Sequence, residues 1–196
     1  MASERGSAVA VLLLTGGYSR RFANGMKLEA KVTDGNRVID VVADNLSQVG
    51  LPVFEAGLGM TDFNQITGTQ FTSPLVALAK GFSVIAEALG DENISIMVLA
   101  GDMVALDPIT ITRVATFPSA RSVVPFDGSL QVLGARWGHA SLALARSMAM
   151  THPKYSLRSA LGEGVVILDD RRWRVRSPFS DIDTFEDLED FKQNRR

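Results

Sequence analysis

The stretch Ala8-Val9-Ala10-Val11-Leu12-Leu13-Leu14-Thr15-Gly16-Gly17-Tyr18-Ser19-Arg20-Arg21 runs from seven apolar residues directly into paired glycines and two arginines. The apolar run is too short to span a bilayer and lacks the small-residue cleavage site of a signal peptide, so it reads as a buried strand. Glycines at the carboxyl end of such a strand let backbone N–H groups approach a phosphate closely, at the edge where α/β folds hold their ligands. The loop is neither a Walker A sequence nor a dinucleotide fingerprint. Lys27 follows Met26 and precedes Leu28, and no G-x-G-x-x-G spacing occurs. Taken alone, a Gly-Gly pair marks a tight strand-to-helix turn with solvated arginines more often than a phosphate site.

Working outward, short apolar runs at 52–56, 94–100, 121–125, 130–137 and 165–168 read as further strands. Segments of helical period separate them at 38–49, 74–89, 109–117, 140–150, 157–161 and 184–192. Pro74 suits a first helical turn, and Asp107-Pro108 repeats that grammar with an N-cap before proline. Thr184 followed by Asp187 resembles a capping box and sets the start of the last helix. Strands alternating with helices predict an α/β fold, three layers with helices on both sides of a mostly parallel sheet. Without an internal repeat or Gly/Ser linker, residues 1–196 form one expected domain, with tails at about 1–6 and 193–196 expected to be disordered.

Composition narrows the function. With 46% apolar and 21% charged residues the chain can bury a substantial core. Cysteine is absent, which removes disulfides, thiolate metal sites and a cysteine nucleophile, and agrees with a cytoplasmic location. A net charge of −2 argues against a nucleic-acid partner. Positive charge is concentrated at Arg20/Arg21/Lys27 and at Arg171/Arg172/Arg174/Arg176, each suited to a small phosphorylated ligand. For the second cluster, preceded by Asp169 and Asp170, a solvated hairpin turn is an equal reading.

Two acidic elements stand out. Ile96-Met97-Val98-Leu99-Ala100 ends in Gly101-Asp102, and an aspartate at a strand's carboxyl end can hold magnesium against nucleotide phosphates or simply form the turn. Asp181 and Asp183 alternate, which puts both carboxylates on one face of an extended segment; helix capping and dipole compensation are the competing reading. His139 and His152 are isolated and read as surface or hydrogen-bonded residues. Ser19 has neither a nearby histidine nor a G-x-S-x-G elbow, and Met148 and Met150 read as core filler.

The run Leu14 to Phe22 with Lys27 resembles the signature L-x-G-G-x-S-x-R-M-G-x-D-K of nucleotide-transferring enzymes related to molybdenum cofactor guanylyltransferase. Phe22 replaces the methionine, Ala23-Asn24 are inserted before Gly25, and Met26 stands where aspartate would be. Leu99–Pro108 resembles the family's metal-binding stretch, and Phe179–Leu188 its closing motif. Gln70–Leu78 is similar to its G-P-L-x-G-I segment, with Ser73 and Ala77 replacing glycines, and Val123–Leu133 to its V-P-x-x-x-G-x-x-Q-P-L run.

This resemblance implies a Rossmann-like nucleotide-diphospho-sugar transferase (glycosyltransferase-A-like) fold and transfer of GMP from GTP to the terminal phosphate of molybdenum cofactor, with release of pyrophosphate. It implies Mg2+ at Asp102, Asp181 and Asp183, nucleotide binding by Leu14, Thr15, Gly16, Gly17, Ser19, Lys27 and Asp102, and catalysis by Lys27, Asp102 and Arg21. The expected partners are a nucleoside triphosphate and a molybdopterin-type phosphorylated acceptor, with no membrane, in a monomer or weak homo-oligomer that contacts other molybdenum cofactor enzymes. Gly16-Gly17 favours guanine, whereas Asp181/Asp183 favour a cytidylyl- or sugar-phosphate nucleotidyltransferase. The altered loop, Met26, Ser73 and Ala77 motivate a third reading, a degenerate nucleotide-binding protein without turnover.

Overall fold

A computed structural model describes residues 8–16, 27–33, 35–67 and 71–194. Among the described residues seven strands form one sheet: β1 (Val9–Leu14), β4 (Val53–Ala56), β5 (Asn64–Gln65), β6 (Ser95–Ala100), β7 (Val123–Phe126), β8 (Arg136–Trp137) and β9 (Val166–Asp169). Their order is β5-β4-β1-β6-β8-β7-β9. All neighbours are parallel except β8, which runs antiparallel to both β6 and β7. A small hairpin of β2 (Lys31–Thr33) and β3 (Asn36–Arg37) lies apart.

The central strands are apolar without alternation because both of their faces are covered. Val11 and Leu13 of β1 pack with α1 (Val38–Ser47), α3 (Pro108–Ala115) and α7 (Phe185–Asn194) through Ile39, Val42, Ile111 and Leu188. Ala10 and Leu12 face the opposite layer, where α2 (Pro74–Leu89) and α4 (His139–Thr151) contribute Leu78, Ile85 and Leu142. Local chemistry sets the helix ends. Ser73 accepts a hydrogen bond from the Val76 N–H with Pro74 in the first turn, and Gly90 closes α2 at φ 64°, a left-handed conformation that glycine adopts freely. Asp107 caps α3 by accepting from Ile109 and Thr110. Among the described residues no helix is long and apolar enough to cross a membrane.

Three expectations need correction. The run 130–137 is not one strand: only Arg136–Trp137 joins the ladder, and Leu130 makes a single bridge to Phe126. Gly134 at φ 111° turns the chain between them, so the apolar residues there pack from a loop. The arginine-rich segment is not a hairpin turn but α6 (Arg171–Val175), between α5 (Leu157–Ala160) and α7, capped by Asp170. Met148 packs against the core as expected, whereas Met150 is 77% exposed at the end of α4.

Buried Arg136 has no carboxylate partner among the described residues. It donates to the carbonyls of Ala115, Phe117, Ser119 and Arg121, at 2.5 to 3.3 Å, and so ties the α3–β7 connection to β8.

Candidate active site

Register alone brings the loop residues together. Leu14 pairs with Ala56 on one side and Ala100 on the other, so β1, β4 and β6 end at one level and release Thr15-Gly16, Gly57 and Gly101-Asp102 at the same sheet edge. The Gly101 N–H donates to the Leu14 carbonyl at 2.9 Å, fixing the turn that carries Asp102.

Asp102 is only 7% exposed, and its Oδ1 has no hydrogen-bond partner among the described residues. Its Oδ2 contacts the Lys27 ammonium. Lys27 opens a single 3-10 turn, Lys27–Glu29, and its Nζ also donates to Asp183 Oδ1 at 2.9 Å. Burial works against the charge on Lys27, but Asp102 and Asp183 more than offset it, and the ammonium is held above its ordinary range.

The third acid comes from the segment before α7. Ile182, buried in the core, donates its N–H to the Asp102 carbonyl at 3.3 Å, so Asp181 and Asp183 are carried on backbone bonded to Asp102 itself. The segment is irregular, yet the two-residue spacing acts as it would in a strand, with Ile182 inward and both acids toward the cluster. Asp102, Asp181 and Asp183 each offer an oxygen, all within 4.8 Å of one another. Solvent reaches Asp181, but the protein packed around it, together with the charges of Asp102 and Asp183, pushes its carboxyl above the ordinary range.

Three hard oxygen donors and an orphaned buried carboxylate oxygen fit a magnesium-like cation, and no nitrogen or sulfur donor joins them in the cluster among the described residues.

Leu14, Thr15 and Gly16 lie at the sheet edge, and Lys27, Asp102, Asp181 and Asp183 meet there. Gly17, Ser19 and Arg21 lie outside the described residues. The two histidines stand elsewhere: His139 Nδ1 sits 3.2 Å from the Glu92 carbonyl, and His152 stacks on Tyr155. In the second arginine cluster, Arg172 pairs with Asp170 and Arg174 with Asp169.

Sequence reasoning missed Glu55. Fully buried in β4, it accepts a hydrogen bond from the Thr15 hydroxyl at 2.5 Å and holds the loop after its own strand. The signal was present as a lone charge inside Val53-Phe54-Glu55-Ala56, an otherwise apolar strand.

Comparison with known proteins agrees with this architecture. The family model of the MobA-like NTP transferase domain matches residues 11–165, a stretch that includes Thr15, Lys27 and Asp102 and ends before Asp181. No curated protein sequence matches the chain. Among solved structures, molybdopterin-guanine dinucleotide biosynthesis protein A from Archaeoglobus fulgidus superposes with a TM-score of 0.76 at 16% identity, over 95% of this chain and 98% of that one. The 2-C-methyl-D-erythritol 4-phosphate cytidylyltransferase from Thermus thermophilus gives 0.69 at 14%, over 95% and 98%. The bifunctional IspDF from Campylobacter jejuni gives 0.68 at 14%, over 93% of this chain and 54% of that one. At these identities the structures speak to the fold, which is the nucleotide-diphospho-sugar transferase fold. The family match covers most of the chain: it belongs to the MobA-like NTP transferase domain family and is a nucleotidyltransferase.

Proposed function

We propose that this chain transfers GMP from GTP to the terminal phosphate of a molybdopterin-type acceptor and releases pyrophosphate. The observation that carries the reading is the meeting of Lys27 with Asp102, Asp181 and Asp183 at the edge where the Gly16 turn leaves β1. An acceptor phosphate oxygen attacks the α-phosphorus, the bond from that phosphorus to the bridging oxygen breaks, and the electron pair leaves with pyrophosphate. Asp102, with Asp181 and Asp183, would hold magnesium, which when bound supplies charge neutralisation at the phosphate oxygens.

The chain's own groups account for the rest. Backbone N–H groups of the turn at Gly16 face the triphosphate, and the Lys27 ammonium passes from the carboxylates to the phosphates, where negative charge accumulates as pyrophosphate departs. Arg21 and Ser19 join this loop in the proposed site. A phosphate nucleophile is already anionic at neutral pH, so no general base is required. This agrees with two histidines that stand apart from the cluster.

A second reading keeps the reaction and changes the substrates. The Asp181/Asp183 pair and the likeness to a cytidylyltransferase favour CTP with a phosphorylated small-molecule acceptor. Magnesium-dependent pyrophosphate release, measured with GTP, CTP, UTP and ATP against molybdopterin and sugar-phosphate acceptors, separates the two. Release with GTP and molybdopterin is the expected result. Binding of a nucleotide without release under any pairing would sink both.

A further inference from the structure

The Glu55 carboxylate takes no part in the chemistry above, yet donors converge on it from two separate parts of the chain. It accepts from Thr15 Oγ1 at 2.5 Å, the Met60 N–H at 2.7 Å, the Thr61 N–H at 2.9 Å, Thr61 Oγ1 at 2.6 Å and Gln65 Nε2 at 3.0 Å. Burial alone would push its carboxyl up, but these donors hold it below the ordinary range and therefore ionised at neutral pH. An ionised carboxylate this deep is tolerated only when it is so completely hydrogen-bonded.

The Thr15 hydroxyl is held from both sides, since it also accepts from the Leu58 N–H at 3.0 Å. One residue on, the two backbones touch: a Cβ at Gly57 would lie 2.4 Å from the Gly16 nitrogen, and Gly57 sits at φ 149°. The loop after β4 and Thr15 at the end of β1 are thus one hydrogen-bonded body with Glu55 at its centre. The pairing of β1 with β4 does not run through this carboxylate. The β1–β4 ladder pairs Leu13 with Glu55 through backbone, and a well-packed apolar side chain commonly serves stability as well as a buried charge does. What the charge adds is a fixed Thr15-Gly16.

We propose that Glu55 is a positioning residue for the nucleotide: through the Thr15 hydroxyl it holds Thr15-Gly16 in the conformation that receives the triphosphate. This inference rests on the nucleotide site proposed above. Its carboxylate is fully engaged and buried, so it acts through Thr15 and not by touching the substrate.

The test compares wild type with Thr15→Val, Thr15→Ser and Glu55→Gln by calorimetric titration with Mg·GTP and Mg·CTP, alongside melting curves and steady-state kinetics. Thr15→Val keeps the shape of the side chain and removes only the hydroxyl. The expected result is about tenfold weaker nucleotide binding and a matching rise in nucleotide KM with kcat little changed, the size of one charge-assisted hydrogen bond. Thr15→Ser restores binding, and adding Thr15→Val to Glu55→Gln costs less than the sum of the two. A merely structural role would lower the melting temperature and leave the KM of the folded fraction alone. Should Glu55→Gln fail to fold, Thr15→Val against Thr15→Ser decides. A folded Thr15→Val that binds both nucleotides as wild type does overturns the inference. A wild type that binds neither, with or without magnesium, overturns the proposed nucleotide site and the inference with it.

Discussion

Replacing Lys27 with methionine should move two properties of this protein in opposite directions. In this structure the ammonium lies on Asp102 and Asp183, the carboxylates that a divalent cation would use. A cation must therefore displace it. Asp183 is 46% exposed, so its contact is discounted for solvent, and the contact with Asp102, with side chains 14% and 11% exposed, sets the scale. One hydrogen bond between charged groups contributes about 1.5–3 kcal/mol, so Lys27→Met should tighten cation binding about 10- to 100-fold in the absence of nucleotide. The same change leaves three carboxylates without their counter-charge and should lower the metal-free melting temperature by about 3–12 °C. Pyrophosphate release should fall even as cation affinity rises, because the ammonium no longer reaches the phosphates. Manganese suits an all-oxygen site, and electron paramagnetic resonance of free Mn2+ gives the affinity directly. If Lys27→Met binds Mn2+ no more tightly than wild type, ammonium and cation do not share these oxygens and the reasoning fails.

Asp102→Asn should reduce turnover by about 100-fold or more while the melting temperature shifts by only a few degrees, since a carboxamide retains the packing and loses the charge; parallel pyrophosphate and melting assays separate the two effects. Gly57→Ala should cost about 1–3 kcal/mol and weaken nucleotide binding, because the new Cβ meets the Gly16 backbone and no flexible side chain can yield; denaturant titration and Mg·GTP binding report both. Asp170, hydrogen-bonded by Arg172 and also by Arg113, is held well below its ordinary value of 3.8. A depressed carboxyl contributes stability that is present above its unfolded value and lost as pH falls towards the folded one. Asp170→Asn should therefore lower the melting temperature at pH 7, and its gap from wild type should begin to close as pH falls below about 4 and go on closing towards the folded value. A difference that stays constant from pH 7 to pH 3 would show that the charge is not what matters there.

The parts of this fold legible in the sequence are those where one local rule acts unopposed. Ala8–Leu14 and Ile94–Ala100 read as buried strands, and they are the parallel pair β1 and β6. Capping chemistry placed helix starts closely: Pro74 opens α2, and Thr184 and Asp187 hydrogen-bond reciprocally ahead of α7. The run 130–137 was misread because apolar residues packing from a loop look like a strand until Gly134 is seen to turn the chain. Met150 shows the limit of composition, since its place on the exposed side of α4 follows from helix phase and not from residue type. Within the candidate site, Asp102, Asp181 and Asp183 could be singled out one at a time, but the first stands 79 positions before the second and only the fold sets them together. That Lys27 rests on these acids, and that Thr15 turns its hydroxyl inward to Glu55, are tertiary facts with no local sequence signature.

The bond from the Ile182 N–H to the Asp102 carbonyl divides scaffold from chemistry. Main-chain atoms, not carboxylates, set how far apart the three acids stand. Residues at 181 and 183 can therefore be exchanged between acid and amide without re-spacing the cluster, provided Ile182 keeps its seat in the core. Within one unchanged backbone, natural drift or deliberate redesign can then retune how much negative charge the cluster presents, and with it, under the function proposed above, the cation and substrate it would accept.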